Sequence, residues 1–126
     1  MTTAEITRPE NGDRLREDRD FEVEGSVRNL GKEDLRLFIY AEKRSTFYLA
    51  DYRAEDVHDG RWSIRSTGIG REFGREGDSH LVLAVTADGA CRQRLSGLDT
   101  GDDHYPSFSA LPRGCKVRAQ IRVIEE

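Results

Sequence analysis

The feature that most constrains this chain is an alternation. Apolar side chains stand at every second position over several runs of strand length. Phe21, Val23, Gly25 and Val27 alternate with Glu22, Glu24, Ser26 and Arg28. Leu35, Leu37, Ile39 and Ala41 alternate with Arg36, Phe38, Tyr40 and Glu42. Val117, Ala119, Ile121 and Val123 alternate with Lys116, Arg118, Gln120 and Arg122. A two-residue period gives an extended segment one buried and one solvated face, and it does not fit a helix. Further strands are expected at residues 1–8, with Ala4 and Ile6 inward and Pro9 ending an edge strand, and at Thr46–Tyr52. His80–Ala87 is a near-continuous apolar run, which predicts a central strand buried on both sides.

The only tryptophan lies in Asp59-Gly60-Arg61-Trp62-Ser63-Ile64. Asp-Gly is a strong turn signal. Trp62 and Ile64 then share one face of a short strand, so Trp62 is expected to plug the core. Asp88 followed by Cys91, Leu95 and Leu98 has helical spacing with a capping residue, which predicts a short helical turn near 88–98. The remaining segments read as turns and loops: Pro9–Gly12, Asn29–Glu33, Lys43–Ser45, Gly68–Gly77 and a polar loop over Asp99–Pro112. About seven strands spaced roughly ten residues apart make an all-β antiparallel sandwich of one domain over residues 1–126.

Charge and length narrow the function classes. The 126 residues carry 20 basic and 24 acidic side chains, interspersed, for a net charge of −4. A nucleic-acid module would show a basic excess on one face, so nucleic acid is not expected. No apolar run approaches the roughly 18 residues of a membrane span. The opening residues lack both the charged and the apolar parts of a secretory signal. A cytoplasmic chain without membrane insertion is the expectation. Two cysteines, Cys91 and Cys115, are too few for a disulfide framework; they either bridge or serve as two small, partly buried apolar residues.

Reactive constellations are not evident. Gly68-Ile-Gly-Arg-Glu-Phe-Gly74 has glycines of phosphate-loop type, but no helix pattern follows to face a phosphate. Asp99, Asp102, Asp103 and His104 do not have calcium-loop spacing. His58, His80 and His104 lie more than twenty residues apart, whereas metal ligands usually include a close pair. Arginines flank both cysteines, as they flank much of the chain, and no nucleophile elbow occurs. The expectation is therefore no catalytic residue, no cofactor and no metal. A hydrolase resting on His104, Asp103 and a second histidine is the contrary reading.

The outward aromatics carry the functional expectation. If 35–42 and 46–52 form a hairpin, Phe38, Tyr40, Tyr48 and Tyr52 are expected on one face beside Arg36. Aromatic and arginine side chains are enriched at protein interfaces. The expected function is a non-catalytic interaction or structural module that binds a partner protein or itself through this face. Carbohydrate stacking on the same rings is the alternative. The competing structural reading is a two-sided core strand covered by the 99–112 loop.

Taken in order, Ile6-Thr-Arg-Pro-Glu-Asn-Gly12, Phe21-Glu-Val-Glu-Gly25, Leu35–Tyr40, Asp59-Gly-Arg-Trp62 with Gly68-Ile-Gly70, Leu81–Ala87 and Leu111-Pro-Arg-Gly114 form a series. This series resembles the prokaryotic immunoglobulin-like modules. The resemblance covers nearly the whole chain. It implies an immunoglobulin-like sandwich and a non-catalytic spacer or interaction role.

Overall fold

The computed structural model describes residues 2–15, 21–49, 59–66, 77–96 and 106–125. In chain order the elements are β1 (Thr3–Arg8), β2 (Arg14–Leu15), β3 (Phe21–Arg28), β4 (Asp34–Ala41), β5 (Thr46–Leu49), β6 (Arg61–Ser66), β7 (Ser79–Ala87), α1 (Gly89–Ser96), β8 (Ser107–Phe108) and β9 (Cys115–Glu125). The strands make a three-stranded sheet, β1-β3-β6, and a six-stranded sheet, β2-β9-β7-β4-β5-β8. The fold is all-β with two sheets, and α1 is the only helix among the described residues. None of the described helices is long and apolar enough to cross a membrane.

The sheets share a core of Val23, Val27 and Trp62 from the smaller sheet and Leu35, Leu37, Ile39, Val82, Ala84 and Val123 from the larger. Trp62 is 3% exposed, and its cross-strand partner on β3 is Gly25. The indole lies across that glycine. A Cβ at position 25 would stand 2.5 Å from the ring's Cζ2 and would strike the Glu5 carbonyl oxygen. The indole N–H donates to the Ser26 carbonyl at 2.9 Å, so the ring is buried with its one polar group satisfied. Just upstream, Asp59 and Gly60 both take positive φ, 52° and 74°, as a tight Asp-Gly turn requires. The Gly60 carbonyl accepts the Val27 N–H at 2.8 Å, which sets β6 beside β3.

At Pro9 the chain leaves the smaller sheet for the larger. The turn after it is stitched to β9, because Gly12 N–H donates to the Arg122 carbonyl at 2.6 Å and Ile124 N–H to that of Asp13 at 2.9 Å. As expected, β7 is central, paired with β4 on one side and β9 on the other.

Three expectations need correction. The sheets are not wholly antiparallel, since β2 runs parallel to β9. The segment expected to be a polar loop over 99–112 contains β8, which pairs with β5 through Phe108 and Ser107. The alternation of the last strand does not persist. A register shift opposite Ala84 and Val85 leaves Ala119 paired with Ala84 but Val117 with Val85, so Arg118 is the extra residue of a bulge. One added residue turns everything beyond it to the other face. Ala119, Ile121 and Val123 face the core between the sheets, whereas Val117 and Cys115 face away from it.

The close approach of Trp62 to Gly25 predicts a large penalty for a methyl group there. Gly25→Ala should cost about 2–4 kcal/mol, in the range for overpacking with backbone displacement. Gly89→Ala, in α1 with nothing within 4 Å of the added Cβ, should be neutral or slightly stabilising. Urea titrations followed by Trp62 fluorescence would measure both.

Candidate functional site

The larger sheet has a second apolar face, turned away from the smaller sheet. Phe38, Leu49, Leu83, Val85, Ala87, Cys91, Leu95 and Cys115 form a buried cluster there. Tyr40, Phe47, Leu81, Phe108 and Leu111 are partly buried against it. Two of its members, Cys91 and Leu95, come from α1. Asp88 caps that helix: its Oδ1 accepts the Cys91 N–H at 3.0 Å. Arg92 ties α1 to the β3–β4 connection by donating from Nη1 to the Lys32 carbonyl at 2.8 Å. Cys91 and Cys115 are joined in a disulfide, with Cα atoms 5.1 Å apart. Both earlier alternatives hold in part, since the cysteines are bridged and also buried in an apolar cluster. The bulge at Arg118 is what brings Cys115 to the face that α1 covers.

The expected aromatic surface is divided by this geometry. Phe38 is fully buried, with its ring 6.1 Å from that of Phe108. It is a core residue and presents nothing to a partner, so the covered-strand alternative is the one found at this position. Tyr48 is half-buried on the opposite face, packed against the core between the sheets. Arg44 donates from Nη1 to its hydroxyl at 3.3 Å. The cause is register. Ala41 pairs with Thr46 around the turn Glu42–Ser45, and Tyr40 pairs with Phe47, Phe38 with Leu49. Even-numbered residues of β4 therefore share a face with odd-numbered residues of β5. Tyr40 does lie on the outward face, half-buried, its ring 4.5 Å from that of Phe47 and tilted by 45°. Arg36 is on the same face, opposite Val85. Tyr52 lies outside the described residues.

Phe47, not Tyr48, is the ring that the strand pairing sets beside Tyr40. The signal that locates it is the turn length, which fixes the pairing. Leu81 and Arg122 are cross-strand partners on the same face, next to Tyr40, which pairs with Leu81 from the other side. Arg122 grips Glu42 with two hydrogen bonds, Nε to Oε1 at 2.8 Å and Nη2 to Oε2 at 3.2 Å. The result is an aromatic pair and a leucine at one end of the face, bordered by a bidentate ion pair, with α1 covering the other end.

Elsewhere, an open hollow of about 640 Å³ on the outer side of the smaller sheet is lined by Thr7, Glu24, Gly25, Ser26, Arg61, Trp62 and Ser63. It has one acid, one base and no exposed ring, since Trp62 turns inward. Among the described residues no three His, Cys, Asp or Glu side chains gather. His80 is buried. His58, His104, Asp99, Asp102, Asp103 and the glycine-rich 68–74 segment lie outside the described residues, and with them the postulated hydrolase groups.

The Arg122 hydrogen bond holds the Glu42 carboxyl below its ordinary value, while burial pulls the other way and Ser79 assists. A carboxyl lowered by folding stabilises the fold above its unfolded pKa, and that contribution disappears as pH falls through the folded value. Glu42→Gln should therefore lower the melting temperature at neutral pH, and the gap to the wild type should close below about pH 4. Thermal melts at neutral pH and at about pH 3 would check it; a gap that persists in acid contradicts the assignment.

No family model matches the chain, and no similar curated protein or solved structure was found.

Proposed function

We propose that this chain is a non-catalytic immunoglobulin-like module that contacts a partner protein or a second copy of itself at the open end of its second face, centred on Tyr40 and Phe47. Strand order supports the fold half of this reading. With β1, β3, β4, β5, β6, β7 and β9 taken as strands A, B, C, C′, E, F and G, one sheet reads A-B-E and the other G-F-C-C′, the immunoglobulin arrangement. The observation that carries the functional half is the Tyr40–Phe47 ring pair beside Leu81, half-buried and ringed by Arg36, Glu42 and Arg122. A ring cluster inside a charged rim is how contact surfaces of proteins are built. The rim carries both signs, so a second copy related by a two-fold axis would present matching charges.

Carbohydrate stacking is less well served. The rings tilt by 45° to each other and offer no common plane to a sugar. The cytoplasmic placement expected from the sequence sits against the Cys91–Cys115 bond, because such bonds persist in oxidising surroundings and are rare in the cytosol. That bond favours a chain that works where thiols are oxidised.

Sedimentation equilibrium tests the contact. The wild type should self-associate, and Tyr40→Ala with Phe47→Ala should weaken association at least about tenfold. Both rings are half-buried, so Gln120→Arg, an exposed rim position on the same face, serves as a second variant that leaves the core intact. Wild type that stays monomeric removes the second-copy reading. A photo-crosslinking residue at position 40, expressed in the native host, then tests the partner reading, and failure to capture any protein rejects it.

A further inference from the structure

The part of the second-face cover that α1 supplies is tied to the sheet by one covalent bond, Cys91–Cys115. Only Cys91 and Leu95 of α1 are buried, whereas Gly89, Ala90, Gln93, Arg94 and Ser96 are exposed. A helix of eight residues is too short to persist by its own hydrogen bonds, because helices below about 12 residues are marginal in water. Its first turn has no acidic side chain. Among the described residues its other polar ties are the Asp88 cap, the Arg92 hydrogen bond to Lys32, and an Arg92–Asp34 contact at 3.9 Å between half-exposed groups. Surface ion pairs of that kind contribute little. By contrast, the Cys91–Cys115 bond closes a loop with a sequence separation of 24.

The bond is placed so that its loss is local. Cys115 pairs with Ala87 at the far end of the β7–β9 ladder. Neither cysteine belongs to the core between the sheets, which is built around Trp62 and contains no residue of α1. The other cover on the second face, Phe108, is held separately by pairing of β8 with β5.

We propose that Cys91–Cys115 is a redox latch: its reduction releases α1 from the sheet and uncovers Leu83, Val85 and Ala87, while the core between the sheets stays folded. The reductant is a dithiol. Its thiolate attacks the sulfur of Cys115, the residue of the pair that retains some exposure, 8% where Cys91 has none. The sulfur–sulfur bond breaks, Cys91 leaves as a thiolate and takes a proton, and the second thiol of the reductant resolves the mixed disulfide. Two electrons and two protons pass to the protein, and the reductant ends as a disulfide. The latch is thus closed in oxidising surroundings and open in a thiol-rich cytosol. It does not rest on the Tyr40–Phe47 contact proposed above.

Amide hydrogen exchange of the full chain with and without dithiothreitol tests the latch. Intact mass after alkylation should show both thiols freed in the folded protein. Amides of residues 89–96 should then exchange roughly three-hundredfold faster, the factor expected from a loop closure of this length. Binding of an apolar dye should rise, while Trp62 emission and exchange in β3 should not change. The Cys91→Ser, Cys115→Ser double variant should show the same pattern without reductant. Three results would overturn the proposal. One is protection of 89–96 that survives bond cleavage. Another is loss of Trp62 burial together with α1, which would make the bond a staple of the whole fold. The third is a bond that dithiothreitol cleaves only after unfolding.

Discussion

The contact of an indole with a residue that has no side chain orders the rest of this fold. Trp62 can lie flat between the sheets only because its cross-strand partner is Gly25. That single pairing sets the register of β3 against β6, and register decides which side chains enter the core. Val23 and Val27 flank Gly25 at two-residue intervals and so join Trp62 in the interior. The indole N–H is spent on the Ser26 carbonyl, a group already within the same strand pair, so a large amphipathic ring is buried without an orphaned donor. Large aromatic side chains contribute most of the apolar area in small cores. With one tryptophan in the whole chain, misplacing it would leave the smaller sheet with little to bury.

The larger sheet faces a different problem, because it is apolar on both sides. In β4 the inward Leu35, Leu37 and Ile39 and the outward Phe38 are all fully buried. The smaller sheet covers only one of these faces. The other is covered by α1 and by Phe108 and Leu111. The bulge at Arg118 belongs to this solution. It turns Cys115 toward α1, and Arg118 itself reaches the buried Thr86 hydroxyl through Nε at 2.8 Å. A bulge on β9 also interrupts the regular backbone of that strand, a common way of discouraging edge-to-edge pairing.

Much of the architecture could be read from the residues, because a two-residue period is a local property. The strands at 21–28, 35–41, 80–87 and 115–125, the buried Trp62, the edge strand before Pro9 and the Asp88-capped helix all follow from neighbours in sequence. What period could not supply was phase between strands. Tyr40 and Tyr48 have the same parity, yet the pairing of Ala41 with Thr46 sets them on opposite faces. Val117 carries the right parity too, and one inserted residue reverses it. Phe108, in a stretch rich in polar and loop-forming residues, gave no periodic signal at all; it finds Phe38 only through the tertiary pairing of β8 with β5. The candidate surface was legible as an aromatic-rich hairpin but not in its membership, and Phe47, Leu81 and Arg122 entered it through register alone.

The same division explains why chemistry of the second face differs from that of the first. The core between the sheets is made of long-range pairs distributed over many strands, so no single contact decides whether it persists. One end of the second face is closed by a short helix with two buried side chains, and cooperative burial is too small there to replace a covalent tie. A chain with 44 charged side chains in 126 residues has few apolar residues to spend on a second layer. A crosslink between Cys91 and Cys115 substitutes for that missing apolar area, as it does in small domains whose cores are limited. Where such a bond rather than packing holds an element, the element's stability follows the redox state of its surroundings, while the rest of the fold follows temperature and solvent.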